Sequence, residues 1–186
     1  MERTGPIHPE IDRRGSRDAF EALARAIVGQ QLSTKAAATI WGRLTELLGS
    51  AKPKPEQILA ADPEAIREAG LSRAKVSFLR DLAERVDDGR LDLKRLGELP
   101  DEDVVADLIE VKGIGAWTAE MFLIFHLGRP DVVSTGDLGI RRAVQIAYGL
   151  EELPGPGELE RISEEWRPHR TLACLYLWRS LDNAPA

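Results

Sequence analysis

A single acidic residue and a short glycine-containing turn are the parts of this chain whose types and spacing could do chemistry. Asp137 lies downstream of the segment VKGIGAWTAEMFLIF at 111–125. The turn KGIG at 112–115 predicts that one helix ends and another begins at Ala116, where the first backbone N–H groups have no partner within the helix. Such groups bind anions, and a phosphate fits best. A carboxylate nearby suggests chemistry on the sugar that carries the phosphate.

The residues around this turn form a predicted phosphate-binding site. Glycine at 113 and 115 suits a turn that needs unusual backbone dihedrals and close approach to a flat or charged partner. Lys112 precedes the first of these glycines, and Thr118 lies in the first turn of the second helix. The phosphate contacts are therefore assigned to Lys112, Gly113, Gly115 and Thr118. The segment as a whole is typical of a helix-hairpin-helix that binds a DNA backbone.

Three segments carry a resemblance to a known family. They are AIVGQQLSTKAA at 26–37, LPDEDVVADLIEVKGIGAWTAEMFLIF at 99–125 and STGDLGIRRA at 134–143. They resemble the helix-hairpin-helix (HhH-GPD) DNA glycosylase superfamily, in its alkylpurine, or 3-methyladenine, branch. Many DNA-binding proteins use the hairpin alone, but the hairpin followed by a Gly–Asp pair is much more specific. The resemblance implies an enzyme that flips alkylated purines out of duplex DNA and hydrolyses the N-glycosidic bond, which starts base excision repair.

Asp137 is the predicted catalytic residue. As the bond between base and deoxyribose stretches, positive charge builds on the sugar, and a nearby carboxylate stabilises it and can orient or deprotonate the attacking water. An Asp directly before LGIRRAV is also an ordinary helix N-cap. The two roles are compatible, because a capping carboxylate is held still. With the hairpin upstream, we favour the catalytic role.

Two tryptophans are the predicted walls of a base pocket. Trp117 occupies the position where relatives that also cut the DNA strand carry a nucleophilic lysine, so the resemblance implies a monofunctional enzyme. A base alkylated on a ring nitrogen, such as 3-methyladenine or 7-methylguanine, is cationic and would stack on an indole for up to about 2 kcal/mol. Trp178 matches a pocket aromatic of the family. Core packing is the alternative for both tryptophans, and Phe122 and Phe125 are assigned to the core.

The turn containing Gln30, Gln31 and Leu32 is the predicted nucleotide-flipping element. Flipping leaves a gap in the duplex, and in the family a side chain from this turn fills it. Some relatives carry an apolar residue where this chain has Gln31, so Gln31 and Leu32 both stay open as the intercalating plug. A polar helix end explains one glutamine more easily than a pair of them.

No cofactor is expected, apart from a structural cation that the resemblance implies. Relatives bind Na⁺ or K⁺ through hairpin carbonyls, which here would be those of Ile109, Lys112 and Ile114. The three histidines have no metal-ligand spacing. The single cysteine, Cys174, excludes an internal disulfide and a four-cysteine iron–sulfur cluster.

Helical patterns run along the chain and predict an all-α fold of about ten short helices. Asp18, Ser33, Asp62 and Ser72 are the predicted N-caps. Residues 116–127 are apolar nearly all round, which predicts a buried central helix.

The resemblance also implies how the helices are divided into two lobes. A six-helix lobe would span residues 30–130 and include the hairpin. Residues 1–29 and 131–186 would form the second lobe. Asp137 would lie in the cleft between the lobes.

Composition sets limits on the class of protein. A hydrophobic content of 43% is enough for a sizeable core. No run is long enough for a membrane span and no signal-peptide core is present, so we expect a cytoplasmic monomer, associated with the nucleoid in a prokaryote. The net charge of −6 argues against DNA binding. Several cations nevertheless lie near the hairpin and Asp137, which predicts a polarised surface that binds double-stranded DNA containing alkylated bases: Lys112, Arg129, Arg141 and Arg142.

Three other functions remain as alternatives. A hairpin module that only docks on DNA would not need Asp137. A glycosylase with lyase activity on oxidised bases would need a lysine in place of Trp117. A purely structural helical protein accounts neither for the turn at 112–115 nor for the glutamines at 30 and 31.

Overall fold

The computed structural model describes residues 18–182, and over this range the regular structure is helical, without a β-strand. The all-α prediction is confirmed. No helix in this range is long and apolar enough to cross a membrane. The α-helices within it are α1 Ala19–Gly29, α2 Thr34–Leu47, α3 Pro55–Ala60, α4 Pro63–Glu68, α5 Arg73–Asp87, α6 Asp101–Ile109, α7 Ala116–Phe122, α8 Leu138–Tyr148, α9 Pro156–Ser163 and α10 Arg170–Asp182. Two 3-10 helices, Arg95–Gly97 and Glu164–Trp166, and a π-helix, Leu123–Leu127, lie between them.

Four helices begin at the capping residues that the sequence predicts. Each capping side chain accepts a backbone N–H from the first turn of its helix: Asp18 from Phe20, Ser33 from Ala36, Asp62 from Glu64 and Ser72 from Lys75. A cap of this kind contributes about 1 kcal/mol to helix stability. The helix starts are thus determined by neighbours in the sequence.

One compact unit contains α1 to α7, with described residues 18–122. Helix α5 contacts α1, α3 and α4, and α1 also packs against α2. Fully buried aliphatic side chains fill the interior: Leu23, Ile27, Leu44, Ile58, Ile66, Leu79, Leu82, Leu96 and Leu108. Burial of each contributes about 1.5–3 kcal/mol. This core fixes α5 in place.

The other compact unit contains described residues 123–182 and includes α8, α9 and α10. Helix α8 packs against both α9 and α10. The centre of the unit is a cluster of fully buried side chains: Ile140, Val144, Leu159 and Cys174. Helix α10 is thereby held against α8, at whose start Asp137 lies.

This division differs from the predicted lobes. Helix α1 was assigned to the same lobe as the C-terminal residues, but it packs on α2, α5 and α7 within residues 18–122. The boundary falls at Leu123 instead of residue 130. Residues 1–17 of the predicted second lobe lie outside the described residues. The cleft between lobes stays a prediction.

The segment predicted as one buried helix, residues 116–127, has two parts. Helix α7 ends at Phe122, and the π-helix follows it. Phe122, Thr118 and Ala119 are buried, whereas Trp117 is 51% exposed. Complete burial was therefore the wrong prediction for Trp117. Successive helical residues are 100° apart, so Trp117 lies on the side of α7 opposite to the three buried residues.

Candidate active site and DNA-binding turns

The hairpin at residues 112–115 joins α6 to α7 and needs glycine at only one of its two glycine positions. Gly113 has φ 82°, and an added Cβ would lie 2.1 Å from Cδ2 of Phe78. A side chain at this position would meet both backbone strain and a steric clash. Gly115 has no positive φ, and an added Cβ would meet nothing within 4 Å. The prediction of unusual dihedrals is therefore confirmed for Gly113 and wrong for Gly115, where close approach of a ligand remains the predicted reason.

Asp81, a buried carboxylate on α5, holds the hairpin. Its Oδ2 accepts the backbone N–H of Lys112 at 2.9 Å and Nε of Arg85 at 3.1 Å. Its Oδ1 lies 3.3 Å from Nζ of Lys112. Burial raises the pKa of the Asp81 carboxyl, but the hydrogen bonds from Lys112 and Arg85 outweigh it and hold this pKa below its ordinary value. Sequence reasoning missed Asp81, because the signal for it lies far from the hairpin in the chain.

The predicted phosphate contacts have different surroundings. The Lys112 side chain is 66% exposed, and its ammonium has three N–H donors, so pairing with Asp81 leaves capacity for a phosphate. Thr118 is buried, which leaves its backbone N–H, in the first turn of α7, as the group suited to an anion.

The turn at residues 30–33 joins α1 to α2, and we call it the plug turn. Gln31 has φ 57°, in the left-handed region, and its side chain is exposed. Leu32 is 39% exposed. Both residues predicted as candidate plugs are therefore presented on the surface.

Gln30 is used differently from its two neighbours. Its Nε2 donates to the backbone oxygen of Gly113 at 2.7 Å, and its own carbonyl accepts from Nζ of Lys75 at 2.6 Å. Gln30 therefore joins the plug turn to the hairpin. Sequence reasoning grouped it with the flipping residues and missed both contacts.

Asp137 is the N-cap of α8, as the alternative interpretation of the sequence allowed. Its Oδ1 accepts the backbone N–H of Ile140 at 2.8 Å. The same oxygen accepts Nε1 of Trp178 at 3.0 Å. Two donors from different helices thus fix the orientation of the carboxylate, one from α8 and one from α10.

The Trp178 indole is held by more than its hydrogen bond. It packs against the buried cluster of its unit and stacks on Phe125, with ring centroids 5.9 Å apart and an interplanar angle of 27°. An added Cβ on Gly139 would lie 3.3 Å from Cδ1 of Trp178 and 3.0 Å from Oδ1 of Asp137. Sequence reasoning missed Gly139 and assigned Phe125 to the core. A glycine in the first turn of a helix was the available signal, since glycine is unfavourable in helices.

The loop before Asp137 is fixed by the start of α10. Oγ1 of Thr171 donates to the carbonyl of Arg129 at 2.6 Å and accepts the N–H of Val132 at 3.0 Å. Arg170 pairs with Asp131 through Nε and Oδ1 at 2.8 Å. Burial raises the pKa of the Asp131 carboxyl, but the hydrogen bonds from Arg170 and the nearby guanidiniums outweigh it and lower this pKa. Helix α10 therefore positions both the loop and the carboxylate.

Comparison with known proteins places these features in a family. The profile of the HhH-GPD superfamily of base excision DNA repair proteins matches residues 24–169. A crystal structure of a DNA-3-methyladenine glycosidase from Bacillus halodurans is 45% identical, with a TM-score of 0.82, covering 88% of this chain and 75% of that one. A structure of the Schizosaccharomyces pombe 3-methyladenine DNA glycosylase in complex with abasic DNA is 34% identical, with a TM-score of 0.75, covering 92% and 88% of the two chains.

A third relative is longer than this chain. It is a Bacillus subtilis protein whose name describes it provisionally as a DNA-3-methyladenine glycosylase, and it is 32% identical over 88% of this chain. The chain spans 59% of that relative's length. The family profile nevertheless covers the plug turn, the hairpin and Asp137 together. The chain belongs to the HhH-GPD superfamily of base excision DNA repair proteins.

Proposed function

We propose that this protein is a monofunctional DNA glycosylase that removes alkylated purines of the 3-methyladenine and 7-methylguanine class from duplex DNA. The observation that carries the proposal is the Asp137 carboxylate, held on one oxygen by the N–H groups of Ile140 and Trp178. The 3-methyladenine glycosylase names of two of the relatives support it.

The proposed chemistry is hydrolysis of the N-glycosidic bond. As the bond stretches, the sugar becomes cationic, and the Asp137 carboxylate stabilises that charge and orients or deprotonates the attacking water. A carboxylate that is already fixed needs no reorganisation as the charge develops. The base departs with the bonding electron pair, and water supplies the oxygen to the sugar.

Alkylated purines suit this site because they are already good leaving groups. A base alkylated on a ring nitrogen carries positive charge, so its departure needs little help from a general acid. We assign contact with the base to the Trp117 indole and to the Trp178 indole, each of which has an electron-rich face that attracts a cation. The exposure of Trp117 supports its assignment to a binding surface.

Binding to the DNA backbone is assigned to the hairpin. Its backbone N–H groups and the ammonium of Lys112 would contact phosphates, and Gln31 or Leu32 of the plug turn would fill the gap left by the flipped nucleotide.

We also propose that the carbonyls of Ile109, Lys112 and Ile114 hold a K⁺ or Na⁺ ion. Measuring DNA affinity in K⁺, in Na⁺ and in a bulky organic cation would test this. We propose further that the protein acts as a monomer in the cytoplasm, and at the nucleoid if the cell is a prokaryote.

Replacement of Asp137 by asparagine tests the proposed function. Asn is as good an N-cap as Asp, so Asp137→Asn should keep the fold and the affinity for DNA with an abasic-site analogue. Base release from methylated duplex DNA should fall by about three orders of magnitude, the scale of a lost electrostatic contribution. Asp62→Asn is the matched control, because Asp62 is also an N-cap and has no assigned role in catalysis.

The outcomes separate the candidate functions. Near-normal base release by Asp137→Asn would reject the catalytic assignment. A wild-type protein that binds DNA but releases no base would be a docking module instead.

A further inference from the structure

One face of α5 contacts both of the turns to which we assign DNA binding. Lys75, Phe78 and Asp81 follow one another at intervals of three residues, so their side chains leave the helix on neighbouring positions of one side. Lys75 contacts the plug turn, and the other two contact the hairpin. The axial rise between Lys75 and Asp81 is about 9 Å. Helix α5 therefore sets the spacing of the two turns.

The Lys75 ammonium is directed at backbone carbonyls. Its Nζ donates to the oxygen of Val28 at 2.8 Å and to that of Gln30 at 2.6 Å. These carbonyls lie at the C-terminal end of α1, where the helix has no donors of its own to offer. Burial lowers the pKa of Lys75. The ammonium thus connects α5 to the plug turn.

The plug turn borders a hollow in the protein. The volume of the hollow is about 210 Å³, and Ile40 and Leu71 are among the lining side chains. The left-handed backbone of Gln31 is unfavourable for a residue other than glycine. A strained turn beside a hollow keeps its shape only when its surroundings hold it. The two hydrogen bonds from Lys75 and the bond from the Gln30 side chain to the hairpin contribute to that constraint.

Gln30 links the plug turn directly to the hairpin. Its side-chain amide donates to the Gly113 carbonyl, Gly113 lies against Phe78 of α5, and Asp81 of α5 binds the Lys112 N–H. The contacts form a closed loop that starts and ends on α5. A displacement of the hairpin would therefore move the plug turn with it.

We propose that Lys75 and Gln30 are positioning residues that hold the plug turn and the hairpin as one rigid device. When the hairpin binds phosphates, this device places the plug, Gln31 or Leu32, at the level of the flipped nucleotide. The proposal rests on the proposed function, because it takes DNA with an extruded nucleotide as the ligand. Lys75 and Gln30 act through the plug turn and contact no reacting atom.

The test measures insertion of the plug in the absence of chemistry. The full chain is titrated onto a duplex with a tetrahydrofuran abasic-site analogue opposite 2-aminopurine, whose fluorescence reports its stacking. Wild-type protein should change the fluorescence, because the plug fills the gap beside 2-aminopurine. Lys75→Gln and Gln30→Met should lose most of this change at saturation, although their affinity for the duplex, which depends on the hairpin, changes little.

Two further variants distinguish positioning from general effects of charge or stability. Lys75→Arg can still donate to both carbonyls and should restore the fluorescence change. Arg73→Gln removes the same charge from an exposed position on α5 and should leave the change intact. The double variant of Lys75→Gln and Gln30→Met should retain more of the fluorescence change than the product of the two fractions that the single variants retain, because both residues hold one device.

Three results would overturn the proposal. One is a full fluorescence change in both Lys75→Gln and Gln30→Met. Another is an equal loss in Lys75→Gln and Arg73→Gln, which would assign Lys75 to charge alone. The third is the lack of any change with wild-type protein. Because the analogue has no base to release, these outcomes are separate from a failure of base release on methylated DNA, which would reject the proposed function.

Discussion

At the scale of single residues, the carboxylate of Asp137 is defined by its two donors. The bond from the Ile140 N–H is a consequence of helix capping and would form in any helix begun by Asp. The bond from Trp178 is specific to this fold, because it requires α10 to lie beside the start of α8. The absence of a Cβ on Gly139 leaves room for the indole. Trp178 therefore combines packing with orientation of the acid.

Removal of the indole N–H tests that orientation. Trp178→Phe keeps an aromatic ring to stack on Phe125 and deletes the donor to Asp137. We expect single-turnover excision to fall about tenfold, equivalent to roughly 1.4 kcal/mol of transition-state stabilisation, with unchanged affinity for abasic DNA. Excision of neutral lesions should fall as well as that of cationic ones, because the acid serves every substrate.

Trp166 provides the matched control. It packs against the same buried cluster as Trp178, and its Nε1 donates to the hydroxyl of Tyr148 at 3.0 Å. Trp166→Phe should therefore alter stability slightly and excision not at all. A loss in Trp178→Phe confined to cationic bases would indicate a role in the base pocket and none in orienting Asp137.

At the scale of elements, the hairpin and the plug turn depend on α5. Asp81 accepts the backbone N–H of Lys112 in the hairpin, and Phe78 lies against Gly113. Lys75 donates to a carbonyl of the plug turn. The two glycines of the hairpin consequently differ in what they do. Gly113 is required by the protein itself, whereas the structure leaves space for a side chain at Gly115.

The two glycine substitutions should therefore have different effects. Gly113→Ala should lower the free energy of unfolding by about 1–2 kcal/mol from the left-handed backbone alone, and more from the clash with Phe78. Gly115→Ala should leave thermal stability nearly unchanged but weaken binding to damaged and undamaged duplexes by the same factor, because phosphate contacts carry no lesion information. Calorimetry and fluorescence anisotropy measure the two quantities. Undiminished DNA affinity of Gly115→Ala would contradict close approach of DNA at this glycine.

At the scale of the whole molecule, the proposed roles are divided between the two compact units. Residues 18–122 contain the plug turn and hairpin, and residues 123–182 contain Asp137 and the helix that orients it. With a net charge of −6, the protein cannot rely on overall charge to bind DNA. Affinity should come from local contacts at the hairpin, with weak non-specific binding elsewhere.

The product of the whole reaction should be an intact abasic site. The resemblance to the superfamily implies that Trp117 takes the position of a lyase's nucleophilic lysine, so we expect no Schiff base with the sugar. Borohydride added during turnover on methylated duplex DNA should trap no covalent protein–DNA adduct, and denaturing gels should show strand breaks only after alkali. Efficient trapping would contradict this expectation and identify another amine, such as Lys112 or Lys35, as a nucleophile.

The sequence by itself determined the features that depend on short-range spacing. Three of these features are the helix starts at Ser33 and Ser72, the hairpin turn, and the capping position of Asp137. In each of them the interacting residues lie within three or four positions of one another. At that separation the geometry of the chain alone determines which groups are in contact. The three family-like segments likewise identified the superfamily, because each of them is an unbroken stretch of sequence.

Only the tertiary structure decided the partners that lie far apart in the chain. Trp178 meets Asp137 across 41 positions, and Gln30 meets Gly113 across 83. In the sequence, nothing distinguishes Lys75 from an ordinary surface lysine. Its contact with the plug turn arises because α5 packs against α1. Such contacts arise from burial of apolar faces, which brings polar groups together without leaving any periodic signal at their own positions.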